Sequence, residues 1–255
     1  MEDETFQIWL PGVSLGIPVA SRLTSVFTSP LMAAGELPPP SNMDSSGLEW
    51  LQQYISDALG AAGVAGTGQK VDVVGESLGA TAALIFAATN PERCGRVVIV
   101  SPFGLGHSVI GSPATSSELA THLTGLLSSS PTDFISGLQA LTDSPPHESA
   151  ITDYVGRILP VLSSFHLSRP TMATLANPDP DRRRYTDLLL RSVKAPVLIL
   201  SGRQDPFIGL DELFFIGRRL RNAELRVLDK CGHLPSIDSP RRFQTVVSSF
   251  LKSGR

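Results

Sequence analysis

The chain has 255 residues, of which 42% are hydrophobic and 18% charged, and its formal net charge is −3. That length builds one good-sized core with room for an insertion, and the composition excludes a disordered chain, which needs low hydrophobicity and high net charge. With 21 basic against 24 acidic side chains there is no basic excess of the kind a nucleic-acid binder shows. No apolar run approaches the roughly 18 residues of a membrane span. Two cysteines, Cys94 and Cys231, build neither a disulfide framework nor a Cys-rich zinc site. The first residues, MEDET, lack the basic n-region of a secretory signal, so a reducing, cytoplasmic location is expected.

The predicted elements begin with a buried strand at Phe6–Leu10, ended by Pro11-Gly12, and a second at Leu23–Thr28, ended by Ser29-Pro30. Gly35–Ser46 is a loop by composition. Leu48, Leu51, Ile55 and Leu59 fall on one face of a helix over Leu48–Leu59. A short strand at Val71–Val74 leads into an Ala-rich helix, Leu78–Thr89, stopped at Asn90-Pro91, and a strand follows at Val97–Val100. Strands alternating with helices predict βαβ units and a parallel sheet. From residue 107 to 193 the β-branched runs disappear. Helical patches at Glu118–Leu127, Thr132–Leu141, Ser149–Leu162 and Asp181–Val193 take their place, separated by prolines. The rhythm then returns with a strand at Pro196–Leu200, a helix at Leu210–Leu220, a strand at Leu225–Leu228 and a closing helix at Pro240–Leu251. The expected organisation is an α/β core over residues 1–106 and 194–255, interrupted by a helical cap over 107–193.

The sharpest chemical signal is Gly75-Glu76-Ser77-Leu78-Gly79. G-x-S-x-G alone is a weak pattern, and a small-residue turn would satisfy it. Here a buried strand leads in and a helix leads out, the context that holds a serine nucleophile on a strained turn. The glycines remove side chains where turn, helix and strand crowd together, and the helix N-terminus favours developing negative charge. A serine hydroxyl needs a base. Of the five histidines, His107, His122, His147 and His166 fall in or at the edges of the helical stretch, where surface or lid positions are expected. His233 follows Cys231-Gly232 in the turn after the last strand, where it can reach over the sheet edge. The base needs an acid to fix its tautomer. Asp205 stands just after the strand PVLIL and before Pro206, which biases it to extended backbone. Asp211 reads as a helix cap, Asp229 and Asp238 as solvated or helix-entry residues. The order Ser77, Asp205, His233 matches one of the known chain orders for such a triad.

These motifs carry a resemblance. GESLG, APVLILSGRQD and CGHLPSIDSPRRF, the last followed by an apolar helix ending at Phe250-Leu251, resemble the α/β-hydrolase superfamily in its cap-bearing branch, over most of residues 6–251. The resemblance implies a mostly parallel sheet flanked by helices, with Ser77, Asp205 and His233 at the C-terminal ends of its strands. It also implies an oxyanion hole from the backbone N–H groups of Leu78 and, in the loop after the first strand, Val13. Each such donor is worth about 10² to 10³ in rate. Two departures stand out. Pro11-Gly12 replaces the His-Gly common after that strand, and the two strands that usually precede it are missing from a start of only five residues. The strand at Leu23–Thr28 would then be an exposed edge able to pair with a second copy. The expected substrate is a small-to-medium apolar carboxylic ester, or a diketone-like acid cleaved at a carbon–carbon bond. Phe134, Leu138, Leu162 and Phe165 of the cap are candidates to line its pocket. No cofactor or metal is implied. A non-hydrolytic enzyme on this fold (a lyase, cyclase or perhydrolase) and a hydrolase-like ligand-binding protein remain alternatives.

Overall fold

The structure, a computed structural model, describes residues 6–10, 26–28, 68, 70–105, 121, 125, 130–144 and 180–253. Among these, six strands form one sheet: β1 (Phe6–Leu10), β2 (Val26–Thr28), β3 (Val71–Glu76), β4 (Cys94–Val100), β5 (Val197–Gly202) and β6 (Ala223–Leu228). Their order is β2-β1-β3-β4-β5-β6, and every pairing is parallel. The helices are α1 (Leu78–Thr89), α2 (Pro131–Leu141), α3 (Pro180–Ser192), α4 (Leu210–Arg219), α5 (Pro235–Asp238) and α6 (Pro240–Lys252). The expected helix at Leu48–Leu59 and most of the stretch 107–179 lie outside the described residues.

The central strands are apolar on both faces, as a parallel sheet covered on both sides requires. Val71, Val73, Val97, Ile99, Val197 and Ile199 alternate with Val74, Val98, Val100, Leu198 and Leu200 and enter two separate apolar clusters. The first cluster is closed by α1, whose residues from Leu78 to Ala87 are all buried, together with α3 and α4. The second is closed by α6, through Phe243, Val247, Phe250 and Leu251. An amphipathic α6 suits a helix with one buried stripe. α1 has almost no polar face because it is enclosed nearly all round.

Helix α2 starts at Ser130, whose hydroxyl accepts the Asp133 N–H at 3.4 Å, and Pro131 occupies the first turn, where its missing N–H costs nothing. Its buried residues Phe134, Leu138 and Leu141 belong to the same cluster as α1 and the sheet. α3 packs on α1, and Thr186 donates to the Leu105 carbonyl at 2.7 Å. The parallel order reverses between β1 and β3, and ligands of open α/β sheets lie beyond the carboxyl ends of the strands near such a point. Ser77, Asp205 and His233 follow the C-terminal ends of β3, β5 and β6.

Candidate active site

Ser77 is the residue between β3 and α1, and its backbone lies at φ 54°, ψ −119°. A non-glycine residue there is strained, and the surroundings hold it in place. The Ser77 N–H donates to Val100 O at 2.8 Å, while the Ser77 carbonyl accepts from Ala80 N–H at 3.0 Å and Phe103 N–H at 3.1 Å. Serine at a helix N-cap ordinarily folds its hydroxyl onto the first turn. Here the side chain makes no capping bond, and Oγ is left for other partners. The sharp turn is possible because Gly75 has no Cβ: one there would run into the Gly79 carbonyl oxygen and stand 2.8 Å from Ala80 Cα.

His233 is 3% exposed and stands after β6 on the turn Cys231-Gly232. Its Nε2 is 3.1 Å from Ser77 Oγ, and its Nδ1 is 3.1 and 3.0 Å from the two carboxyl oxygens of Asp205. A carboxylate only accepts, so Nδ1 carries the ring proton and Nε2 offers its lone pair to the serine hydroxyl. Asp205 is itself fully engaged. Its Oδ1 accepts from the N–H of Phe207 at 2.8 Å and of Ile208 at 3.1 Å, and its Oδ2 accepts from Ser201 Oγ at 3.3 Å. Pro206 follows it in sequence, and the next two amides fold back onto the carboxylate as an Asx-type turn. Phe207 and the imidazole meet in a T-shaped contact, with ring centroids 5.0 Å apart.

The histidine turn is fixed through its backbone as well. The His233 N–H donates to Leu141 O at 2.7 Å, at the C-terminus of α2. Asp238 Oδ2 accepts the Gly232 N–H at 2.7 Å, and both Asp238 oxygens accept the Asp143 N–H, at 3.1 and 3.2 Å. Asp238, partly exposed at the entry to α6, therefore also ties the segment after α2 to the histidine turn. Burial raises its carboxyl, opposed by these backbone hydrogen bonds. Asp229 pairs with Arg203. Asp211 sits inside the first turn of α4, which Gly209 caps.

Two further carboxyls belong to this neighbourhood, and no local pattern in the sequence points to either. Glu76, 1% exposed, is pushed up from 4.5 to about 7 by burial, with the charge of His233 and a hydrogen bond from Ser236 opposing. Half-buried Glu212, on α4, is pushed up to about 8 by burial and then by the Asp205 charge, with Arg183 opposing.

Of the positions predicted for the site, the structure brings together Ser77, Asp205 and His233. Leu78 opens α1 directly after Ser77, so its amide belongs to the helix turn that lacks intrahelical acceptors. Phe134 and Leu138, expected at the pocket, are 0% and 1% exposed and pack in the core cluster with α1 and the sheet. Val13, Leu162 and Phe165, like His107, His122, His147 and His166, lie outside the described residues.

Comparison with known proteins agrees with this architecture. A family model described as alpha/beta hydrolase family matches residues 10–244. The chain is 24% identical over 239 residues to a 2-hydroxymuconate semialdehyde hydrolase of Pseudomonas putida, covering 91% of this chain and 78% of that protein. It is 30% identical over 209 residues to a 2-hydroxy-6-oxo-6-phenylhexa-2,4-dienoate hydrolase of Burkholderia cepacia, covering 78% and 66%. With a 2-hydroxy-6-oxononadienedioate/2-hydroxy-6-oxononatrienedioate hydrolase of Paraburkholderia xenovorans, 26% identical over 194 residues, the match spans only 62% of that relative's length. Among solved structures, a 2-hydroxy-6-oxo-6-phenylhexa-2,4-dienoate hydrolase from a Rhodococcus strain superposes with TM-score 0.70 at 18% identity, covering 98% of this chain and 91% of that one. An esterase from another Rhodococcus superposes with TM-score 0.70 at 21% identity, covering 98% and 90%. The family model spans most of the chain, and the sheet order and strand–turn–helix around Ser77 are those of its fold: the chain belongs to the alpha/beta hydrolase family and is a serine hydrolase of that fold.

Proposed function

We propose that this enzyme cleaves a small-to-medium apolar carboxylic ester through an acyl-enzyme on Ser77. The observation that carries the reading is the unbroken hydrogen-bonded series Ser77 Oγ, His233 Nε2, His233 Nδ1 and Asp205. Ser77 Oγ attacks the acyl carbon while His233 Nε2 takes its proton. The oxyanion is stabilised by the N–H of Leu78 and of Val13. His233 then gives the proton to the leaving alkoxide. A water, deprotonated by the same nitrogen, attacks the acyl-enzyme and releases the acid. Asp205 holds the tautomer and stabilises the imidazolium at each stage. The cap over residues 107–193 supplies the apolar wall of the pocket, with Leu162 and Phe165 as its candidate lining residues. The place of β2 as the outermost strand among the described residues supports pairing with a second copy, and the two buried free thiols support a reducing, cytoplasmic location.

A second reading is favoured by the relatives' names: hydrolysis of a carbon–carbon bond in a diketone-like acid, since the Burkholderia and Paraburkholderia proteins are named for hydroxy-oxo-dienoate-type substrates and the Pseudomonas protein for 2-hydroxymuconate semialdehyde. The deciding experiment runs p-nitrophenyl acetate, butyrate and octanoate beside 2-hydroxy-6-oxo-6-phenylhexa-2,4-dienoate, with Ser77→Ala as control. Ester turnover that exceeds dienoate turnover in kcat/KM and disappears in the control supports the ester reading. The reverse order moves the assignment to carbon–carbon hydrolysis. No turnover of either by a protein that a fluorophosphonate labels on Ser77 favours the non-hydrolytic or binding alternatives.

A further inference from the structure

The hydrolytic steps above leave one elbow residue unused. Glu76 ends β3 immediately before Ser77, and its side chain is enclosed, 1% exposed. Its Oε1 accepts a hydrogen bond from Ser236 Oγ at 3.2 Å, and its Oε2 has no hydrogen-bond partner among the described residues. Ser236 lies on α5, three residues after His233. The contact therefore joins the strand end that carries the nucleophile to the turn that carries the base. Gly75 and Glu76 alternate across the sheet. The Gly75 side is filled by the start of α1, so the Glu76 carboxyl has left the nucleophile's helix for the side of the histidine turn.

A buried carboxyl with an unpartnered oxygen is an expensive way to fill space, and a leucine would pack there without the desolvation cost. Among the described residues, the titratable group whose charge acts on Glu76 is His233, and the other ionisable groups on the surrounding elements are occupied elsewhere or exposed. Asp72, at the opposite end of β3, accepts the Arg96 N–H at 2.8 Å. Asp238 of α5 is taken by the Gly232 and Asp143 amides. Lys230, Arg241 and Arg242 are exposed.

We propose that Glu76 is a positioning residue acting through His233: its clasp on Ser236 seats the histidine turn against the elbow, and its ionisation places a second negative charge beside the imidazole that Asp205 already serves. This rests on the Ser77–His233–Asp205 reading above. Burial pushes the Glu76 carboxyl up to about 7, so its charge changes in the range where a histidine base operates. Once ionised, it favours the imidazolium and holds the acid limb of the rate at higher pH than Asp205 alone would.

The test uses a fluorophosphonate, which reports the activated serine without a known substrate. The rate of labelling is measured between about pH 5 and 9 for the wild type and for Glu76→Gln, Ser236→Ala and Ser77→Ala. Glu76→Gln is expected to move the acid limb to lower pH by about half a unit or more. Ser236→Ala removes a hydrogen bond that favours the charged carboxyl, so it should move the limb in the same direction by less. A Glu76→Gln profile that superimposes on the wild type overturns the proposal, as does a uniform loss of rate with an unmoved limb. If Glu76→Gln does not fold, the Ser236→Ala profile decides alone, and an unmoved limb there overturns it. Failure of the wild type to label at any pH overturns the serine assignment, and this proposal with it. Labelling that depends on Ser77 but ignores position 76 overturns only this proposal.

Discussion

Replacing Asp205 with asparagine should abolish activity with little loss of stability, and the hydrogen bonds around the carboxylate say why. Oδ1 already accepts from the Phe207 and Ile208 amides, at 2.8 and 3.1 Å. An asparagine must put its carbonyl oxygen there, because its NH₂ would face two donors. The NH₂ then takes the Oδ2 position, 3.0 Å from His233 Nδ1 and 3.3 Å from Ser201 Oγ. It donates to Nδ1, the ring proton moves to Nε2, and the nitrogen facing Ser77 at 3.1 Å no longer accepts a proton. Loss of the tautomer in other serine triads costs about 10⁴ in kcat, about 5 kcal/mol of barrier. Asp205→Ala differs in kind. It strands the Phe207 and Ile208 amides and His233 Nδ1, at about 1–3 kcal/mol for each buried group left unmade, whereas Ser201 Oγ keeps Ser101 Oγ within reach at 3.4 Å. For a chain of this size, each kcal/mol lowers Tm by roughly 2–4 °C. Hydrolysis of p-nitrophenyl acetate (or labelling by a fluorophosphonate) and thermal melts of both variants check the two halves. An asparagine variant within tenfold of wild-type kcat would refute the tautomer argument. Equal melting temperatures for the two variants would refute the assigned hydrogen bonds.

Gly75→Ala forces a Cβ against the Gly79 carbonyl and Ala80 Cα; since only backbone stands in the way, it should lower stability by about 1–3 kcal/mol and activity about 10²-fold by displacing Ser77, read from denaturant melts and labelling rate. The folded Glu76 carboxyl lies near 7 against 4.5 unperturbed. Its stabilising contribution is therefore complete below pH 4.5 and disappears as pH rises through 7, a total of about 3 kcal/mol. Glu76→Gln should accordingly gain stability relative to wild type between those limits, and parallel urea-unfolding curves across that range would contradict it. Burial pushes the Cys94 thiol up to about 12 and the Cys231 thiol up to about 11. At pH 8 about one thiol in a thousand or fewer is thiolate, so iodoacetamide should leave the native mass unchanged and modify both cysteines after denaturation.

Much of this site is legible in the sequence because its chemistry is local. GESLG names a strand, a turn and a helix at once, and Phe6–Leu10 and Leu78–Thr89 fold over the predicted bounds. Strand ends are less legible where the ladder overrides propensity. β3 runs past the predicted Val74 because Gly75 pairs with Leu10 and Ile99, and Glu76 pairs with Val100. β4 starts at Cys94, three residues early, where Asp72 takes the Arg96 amide across an irregular register. β6 starts at Ala223, where a polar, largely exposed run gives no apolar signal, yet Val197 and Leu198 across the ladder set its pairing. Glu76, Glu212 and Asp238 were illegible for another reason. Their roles depend on burial and on partners distant in sequence: Glu76 meets Ser236, and Asp238 meets Asp143.

The histidine is held at two levels, its ring and its backbone, and the division explains how the site tolerates a mobile chemical step. Asp205 and Phe207 set the rotation and tautomer of the ring. Leu141 O, the Asp238 clasp on Gly232 and the Ser236–Glu76 contact set the backbone beneath it, from helix α2 on one side and strand β3 on the other. A proton passing from Ser77 to Nε2 changes the charge of the ring. The backbone amides donate to acceptors that do not titrate with it, apart from the Asp238 carboxylate. On the proposed mechanism, these holds should keep the nitrogen in reach of the serine position through both half-reactions, as a single base serving two nucleophiles in turn requires. A variant that loosens only the backbone, such as Asp238→Ala, should therefore slow acylation and deacylation together, whereas Asp205→Asn stops proton transfer in both. Pre-steady-state bursts with p-nitrophenyl acetate separate these cases, and a variant that slows deacylation alone would show that the turn, and not the ring, is what shifts between the two steps.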